Sequence, residues 1–250
     1  MSPLEGLLVL GAGGAAGAVN AIAGGGTLIA FPALLAVGLP AVQANTTCAV
    51  GLVAGYAGGS VAYRAELTGQ GARTRRLLVP AAVGGVLGAV LLLALPGDSF
   101  EAVIPFLVLG SCLLLAVQPR LARAMARRGV ARPHPGWEAQ FGVAVAAVYG
   151  GYFGAGLGVV LLAVLGALVP DDLQRLNALK GVQSLVVNVV ASAVFVVTAH
   201  VHWTAAALLA VGTFFGAHQG VRLARLLPAS AIRVGVVATG VVVAVVLLLR

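Results

Sequence analysis

The chain has 250 residues, 60% of them hydrophobic and only 9% charged, with a formal net charge of +8. A soluble domain carries roughly a quarter of its residues as charges, so this composition excludes an ordinary soluble enzyme or binding module. Nor is the excess of arginine a nucleic-acid signal, because the arginines sit in short loops between apolar stretches, where basic residues orient a membrane protein.

Eight apolar blocks follow one another: 4–37, 41–62, 77–95, 100–117, 137–169, 177–199, 203–223 and 231–249. The first lacks a basic leader, so no cleaved signal peptide is expected. It is too long for one span and is interrupted at Gly24-Gly25-Gly26. The second carries Gln43, Asn45, Thr46, Thr47 and Cys48, and a basic loop with Arg64, Arg73, Arg75 and Arg76 follows it. The third ends at a loop holding Asp98 and Glu101. After the fourth comes a basic stretch, 119–136, with Arg120, Arg123, Arg127, Arg128 and Arg132, read as a cytoplasmic linker between halves 1–118 and 137–250. The fifth block is again overlong and broken, at Gly154-Ala155-Gly156-Leu157-Gly158. The sixth holds Asn177, Lys180, Gln183, Ser184 and Asn188. His200-Val201-His202 leads into the seventh, and Arg222, Arg225 and Arg233 lie between the seventh and the eighth.

Glycine weakens a helix because it loses the most backbone entropy on folding. Both glycine clusters therefore read as broken or re-entrant helices, against the simpler reading of continuous helices that use glycine for packing. One constant shift along the chain pairs Gly24 with Gly156, Gly26 with Gly158, Asn45 with Asn177, Ser60 with Ser192, Gly84 with Gly216, Gly88 with Gly220 and Pro96 with Pro228. That ungapped register marks an internal duplication. The basic loops fall at opposite positions in the two halves, which places Arg73 and Arg225 on one cytoplasmic face if the halves are inverted. The expected fold is an all-α integral membrane protein of two inverted repeats, each a glycine-broken re-entrant helix pair plus three transmembrane helices. Eight plain spans in two parallel halves are the alternative.

Lys180 is the single lysine and lies inside an apolar block. An ammonium at membrane depth costs at least ~2.5 kcal/mol, so it either faces a cavity with a partner or snorkels to the interface. Asn177, Lys180 and Ser184, spaced three and four apart, share one helical face. The Gln43–Cys48 stretch is the counterpart in the first half, with Cys48 at the position of Lys180. The alternative for both clusters is polar contact between helices. Each glycine break precedes a short apolar run, and the free N–H groups of such a half-helix favour an anion, Thr27 adding a hydroxyl. All seven carboxylates lie in loops or at block ends, where a cation carrier would not place them. Cys48 and Cys112 read as inert buried thiols, and the four histidines show no metalloenzyme spacing. No metal or cofactor is expected.

The motifs Gly17-x-x-Asn20-x-x-x-Gly24-Gly25-Gly26 with Pro32, Gly38-Leu39-Pro40, Ala44-Asn45-Thr46, Tyr149-Gly150-Gly151-Tyr152-Phe153-Gly154-Ala155-Gly156-x-Gly158 and Asn177-x-x-Lys180 resemble those of the TauE/SafE (sulfite exporter) permeases over nearly the whole chain. Thr46-Thr47-Cys48 stands where that family often has Ser or Thr-Ser. The resemblance implies a multi-pass permease of a bacterial or archaeal plasma membrane, moving sulfite or organosulfonate-class anions. Residues and resemblance together nominate a substrate site from Asn20, Gly24, Gly25, Gly26, Thr27, Asn45, Thr46 and Thr47 in the first half. Tyr152, Gly154, Gly156, Gly158, Asn177, Lys180, Gln183 and Ser184 complete it from the second. The partners expected are a small anion and the lipid bilayer, with room for a homodimer. A channel-like anion path and, from another class, a membrane enzyme or assembly factor are the competing functions.

Overall fold

The computed structural model describes residues 1–22, 24–126, 135–169, 171–223 and 229–249. Among the described residues every regular element is a helix: α1 Pro3–Ile22, α2 Thr27–Ala36, α3 Ala41–Ala62, α4 Gly71–Ala94, α5 Gly97–Ala126, α6 Trp137–Tyr152, α7 Leu157–Leu168, α8 Leu173–Thr198, α9 Trp203–Leu223 and α10 Ala229–Leu248. Among the described residues, four stretches are long and apolar enough to cross a membrane, Pro3–Ala21, Gly71–Ala94, Gly97–Arg120 and Leu173–Thr198. At 1.5 Å per residue, α3 is ~33 Å long and also has the length of a span. Its Gln, Asn and Thr residues lower its hydropathy, and they are tolerable because α3 packs against α1, α2, α8 and α9.

Helix starts are fixed by local side chains. The Ser2 hydroxyl accepts from the Glu5 N–H (3.3 Å) while the Glu5 carboxylate accepts from the Ser2 N–H (2.7 Å), a reciprocal capping box for α1. Asp172 caps α8 by accepting from the Gln174 N–H at 2.9 Å. His202 Nδ1 accepts from the Ala205 N–H at 3.3 Å and caps α9.

Both overlong blocks are broken at their glycines, so each of them yields two helices. Gly24 (φ +80°) and Gly156 (φ +73°) hold left-handed backbone that only glycine adopts without cost. The freed polar groups find protein partners, as irregular backbone inside a membrane protein requires. The Gly26 N–H donates to Asn20 Oδ1 at 2.7 Å, and the Ala155 carbonyl accepts from the Ser111 and Tyr149 hydroxyls.

The duplication is visible in the elements. α3, α4 and α5 begin at 41, 71 and 97, and α8, α9 and α10 begin at 173, 203 and 229. Every start in the second set lies beyond its counterpart by the same interval that separates Gly24 from Gly156. The main packing pairs match as well: α1 on α9 and α6 on α4, α3 on α9 and α8 on α4, with α3 on α8 and α5 on α10 as self-matching pairs. Gly84 and Gly88 meet the α6 backbone at Ala144 and Val148, and their counterparts Gly216 and Gly220 meet the α1 backbone at Gly14 and Ala18. Small residues let these helices approach without a layer of side chains between them.

Several block boundaries need correction. α4 starts at Gly71 rather than 77, so Arg73, Arg75 and Arg76 lie in its first turns and not in a loop. α5 runs to Ala126 rather than 117, and α8 starts at Leu173 rather than 177. Apolar patterning marks the part of a helix that meets lipid or core, whereas a helix continues through charged interfacial turns. Arg127, Arg128, Arg132, His134, Arg225 and Pro228 lie outside the described residues.

Candidate functional site

α3 and α8 cross antiparallel at the centre: the C-terminal half of α3 shares a cavity with the N-terminal half of α8, and the opposite halves share a second. Lys180 enters the first cavity, only 5% exposed, and its Nζ donates to Asn177 Oδ1 at a long 3.3 Å. Three further polar atoms on its walls, Asn20 Nδ2, Ser60 Oγ and Ser184 Oγ, are sealed from solvent and have no hydrogen-bond partner. A buried donor left unpaired costs about 1–3 kcal/mol, so three beside one ammonium describe a site awaiting an acceptor. The first turn of α7 borders the same space, since a Cβ built on Gly158 would lie 3.5 Å from Lys180 Cδ. Its partial positive charge adds to that of Lys180. Among the described residues, no Asp or Glu lines either cavity.

The second cavity is walled by Thr27, Asn45, Cys48, Gly154 and Asn188 among others. Asn45 Nδ2 donates across the halves to the Tyr152 carbonyl at 2.9 Å, and Asn188 Nδ2 to the Ser184 carbonyl at 3.0 Å. The nominated residues thus divide between two cavities instead of converging on one. At the wall of the first cavity the two breaks touch, a Cβ on Gly24 falling 2.7 Å from Gly158 Cα.

Asn20, Gly24, Gly158, Asn177, Lys180 and Ser184 come together around the first cavity, and Thr27, Asn45 and Gly154 around the second. The other nominees stand apart. Gly25 faces Leu115, Gly26 lies under Asn20, and Gly156 faces Ser111. The Tyr152 ring packs edge-on against Phe100. Thr46 bonds the Gln43 carbonyl and borders an opening near His200, while Thr47 accepts from the His202 N–H. Gln183 is fully buried with both amide atoms unpartnered and lines neither cavity, an arrangement nothing in the structure explains. Tyr56, Ser60 and Tyr63 line the first cavity without having been nominated. Their signal was present: polar residues at i, i+4 and i+7 on one face of an otherwise Gly- and Ala-rich helix.

Beyond the first cavity, where α3 ends and α8 begins, a polar clamp joins the halves. Asp171 pairs with Arg73 of the first half and with Arg175, whose NH1 donates to the Thr68 carbonyl at 3.2 Å. Gln70, fully buried, donates to the Glu66 and Arg175 carbonyls.

Known proteins bear on this arrangement of a central cation, paired broken helices and no carboxylate. The family model described as sulfite exporter TauE/SafE matches residues 9–247. The chain belongs to the TauE/SafE family. It is similar to a "Probable membrane transporter protein ORF9" of Sinorhizobium sp, 28% identical over 84% of this chain and 79% of the relative. A "Probable membrane transporter protein" of Haemophilus influenzae is 25% identical over 82% of this chain and 79% of its own length. The Escherichia coli K12 "Probable membrane transporter protein YfcA" is 25% identical over 83% and 76%. No solved structure matches it significantly. This TauE/SafE member is therefore a multi-pass membrane protein of a transporter family, not of an enzyme family, and these relatives are bacterial.

The clamp sets an acid limit on the TauE/SafE fold. Burial raises the Asp171 carboxyl, but the Asp172 N–H and the Arg73 and Arg175 guanidinia outweigh it and hold the group below its ordinary 3.8. A depressed carboxyl stabilises the folded chain above its unfolded value and loses that contribution as pH falls toward the folded one. The melting temperature in detergent should therefore fall as pH drops below about 4. Asp171→Asn should start lower at neutral pH and lose that acid limb, and an unchanged neutral melting temperature would show that the clamp holds nothing.

Proposed function

We propose that the chain is a carrier for small sulfur-containing anions, sulfite or an organosulfonate, bound in the cavity of Lys180. One observation carries this reading: a sole lysine, almost fully buried, faces three unpartnered polar atoms and no carboxylate. An isolated buried ammonium is unfavourable, and an anion in the cavity supplies both its countercharge and acceptors for the idle donors. Asn20, Asn177, Ser60 and Ser184 then orient the anion's oxygens, and the α7 N-terminus adds its dipole. The description of the matching family as sulfite exporters supports the choice among anions. The competing snorkelling role for Lys180 is disfavoured by its 5% exposure.

The carrier works, on this reading, by alternating access of two inverted repeats, 1–118 and 137–250, about the central α3–α8 crossing. The evenly displaced helix starts, the matched packing pairs and the two left-handed glycines support a two-fold relation between the halves. The swapped basic loops support an axis in the membrane plane, with the Arg73 end cytoplasmic.

Two measurements test these claims. Single cysteines at positions 73 and 225, with Cys48 and Cys112 removed, should both react with an impermeant thiol reagent from the cytoplasmic side; reaction from opposite sides would exclude inversion. In liposomes, Lys180→Met should reduce saturable counterflow of labelled sulfite at least about tenfold while the protein stays folded, as loss of a hydrogen bond to a charged group implies. Lys180→Arg should rescue poorly, because a planar guanidinium does not replace a compact ammonium. Near-normal counterflow by Lys180→Met would remove the residue from the site, and non-saturable flux would make the pathway a channel.

A further inference from the structure

We infer that Tyr56 is the septum of a two-chamber path: an anion leaving Lys180 must displace this side chain to reach the second, uncharged chamber of Thr27, Asn45, Cys48 and Asn188. The inference rests on the anion-carrier reading above and adds a route and a barrier to it.

The chambers share no lining residue and stack along the same two helices. Residues 55–63 and 177–184 border the first, and residues 45–52 and 188–195 border the second. A separation of ten residues along α3 sets their centres ~15 Å apart, half the ~30 Å hydrocarbon thickness of a bilayer. Two features of the first chamber's wall matter here. One is the contact of Gly24 with Gly158, backbone against backbone, which leaves no room for an ion and no side chain that can swing away. The other is Tyr56, 7% exposed, which lines the first chamber while its hydroxyl faces the side-chain amides of Asn20 in that chamber and Asn188 in the second. One turn on, Gly59 opens onto empty space that a side chain could enter. At that wall the glycine contact is fixed, and Tyr56, one turn of α3 from Leu52 of the second chamber, is the side chain with space to move.

The repeat makes chemical sense of the pair. Under the shift that relates the two halves, Asn177 corresponds to Asn45, Lys180 to Cys48, Ser184 to Leu52 and Tyr56 to Asn188, so each chamber is the counterpart of the other. The second site also holds two amides, Asn45 and Asn188, but it has Cys48 in place of the cation, Leu52 in place of Ser184 and Phe195 in place of Tyr63. Amides and the Thr27 hydroxyl can solvate an anion without holding it, which suits a station for release rather than capture. The Tyr56 hydroxyl, bordered by an amide on each side, can hand the anion's oxygens from one set of donors to the other.

Cys48 stands in the second chamber as a built-in reporter. In protein carrying Cys112→Ala, membrane vesicles of known sidedness are treated with 2-sulfonatoethyl methanethiosulfonate, an impermeant anion that forms a mixed disulfide with an accessible thiol and releases methanesulfinate. Modification is read by intact mass. With Tyr56 present, Cys48 should react more slowly from the Arg73 side than from the opposite side. Tyr56→Ala should raise the rate from the Arg73 side about tenfold or more, and Tyr56→Phe, which keeps the ring, should not. Equal rates from both sides with Tyr56 in place would overturn the septum even if the alanine variant fails to fold. So would a Tyr56→Ala protein whose Cys48 remains unreactive from the Arg73 side. Because labelling needs no transport, these outcomes are separate from those of Lys180→Met: the septum can fail while the anion site stands, and the reverse.

Discussion

An ammonium inside a membrane has to be compensated, and the central architecture of this chain can be read as the means of doing so. Lys180 is held near the α3–α8 crossing with Asn177 as its hydrogen-bond partner, and no carboxylate is within the cavity to neutralise it. A buried Lys–Glu pair would neutralise the charge permanently and leave nothing for a substrate to do. Idle donors around a lone cation leave the neutralising role open to a mobile anion, so the same electrostatic cost that destabilises the empty site favours its occupation.

The glycine breaks follow from that requirement. A helix running unbroken past Lys180 would present side chains to it and hide its own N–H groups. Ending α1 and α6 early and restarting as α2 and α7 brings helix N-termini to the two cavities, α7 beside Lys180 and α2, through Thr27, at the second. The left-handed glycines make the turn, and Asn20, Ser111 and Tyr149 satisfy the backbone groups it frees. Asn20 has both tasks, with its oxygen on the break and its nitrogen unpartnered in the cavity wall.

How much of this was legible in the sequence differs from feature to feature, for physical reasons. Triple glycine at 24–26 and the Gly154–Gly158 run marked the breaks because glycine's backbone entropy acts locally. The face shared by Asn177, Lys180 and Ser184 was readable because helical spacing is local too. Helix ends at Gly71, Ala126 and Leu173 were missed where charged turns continue an apolar helix, although Asp172 was an available cap signal. The division of the candidate residues between two chambers is not legible in either segment alone, because the antiparallel register of α3 on α8 decides which residues meet. For the same reason the clamp of Arg73, Asp171 and Arg175, which joins segments far apart in the chain, had no signature in either.

The central claim, that Lys180 receives an anion, is tested most directly by locating one. Crystals of the protein soaked in selenite, a heavier analogue of sulfite, would reveal selenium by its anomalous scattering. The account predicts a peak in the first cavity within hydrogen-bonding reach of Lys180 and the Asn20, Ser60 and Ser184 side chains, lost in Lys180→Met. A peak elsewhere in the protein, or one in the cavity that persists undiminished in Lys180→Met, would contradict it.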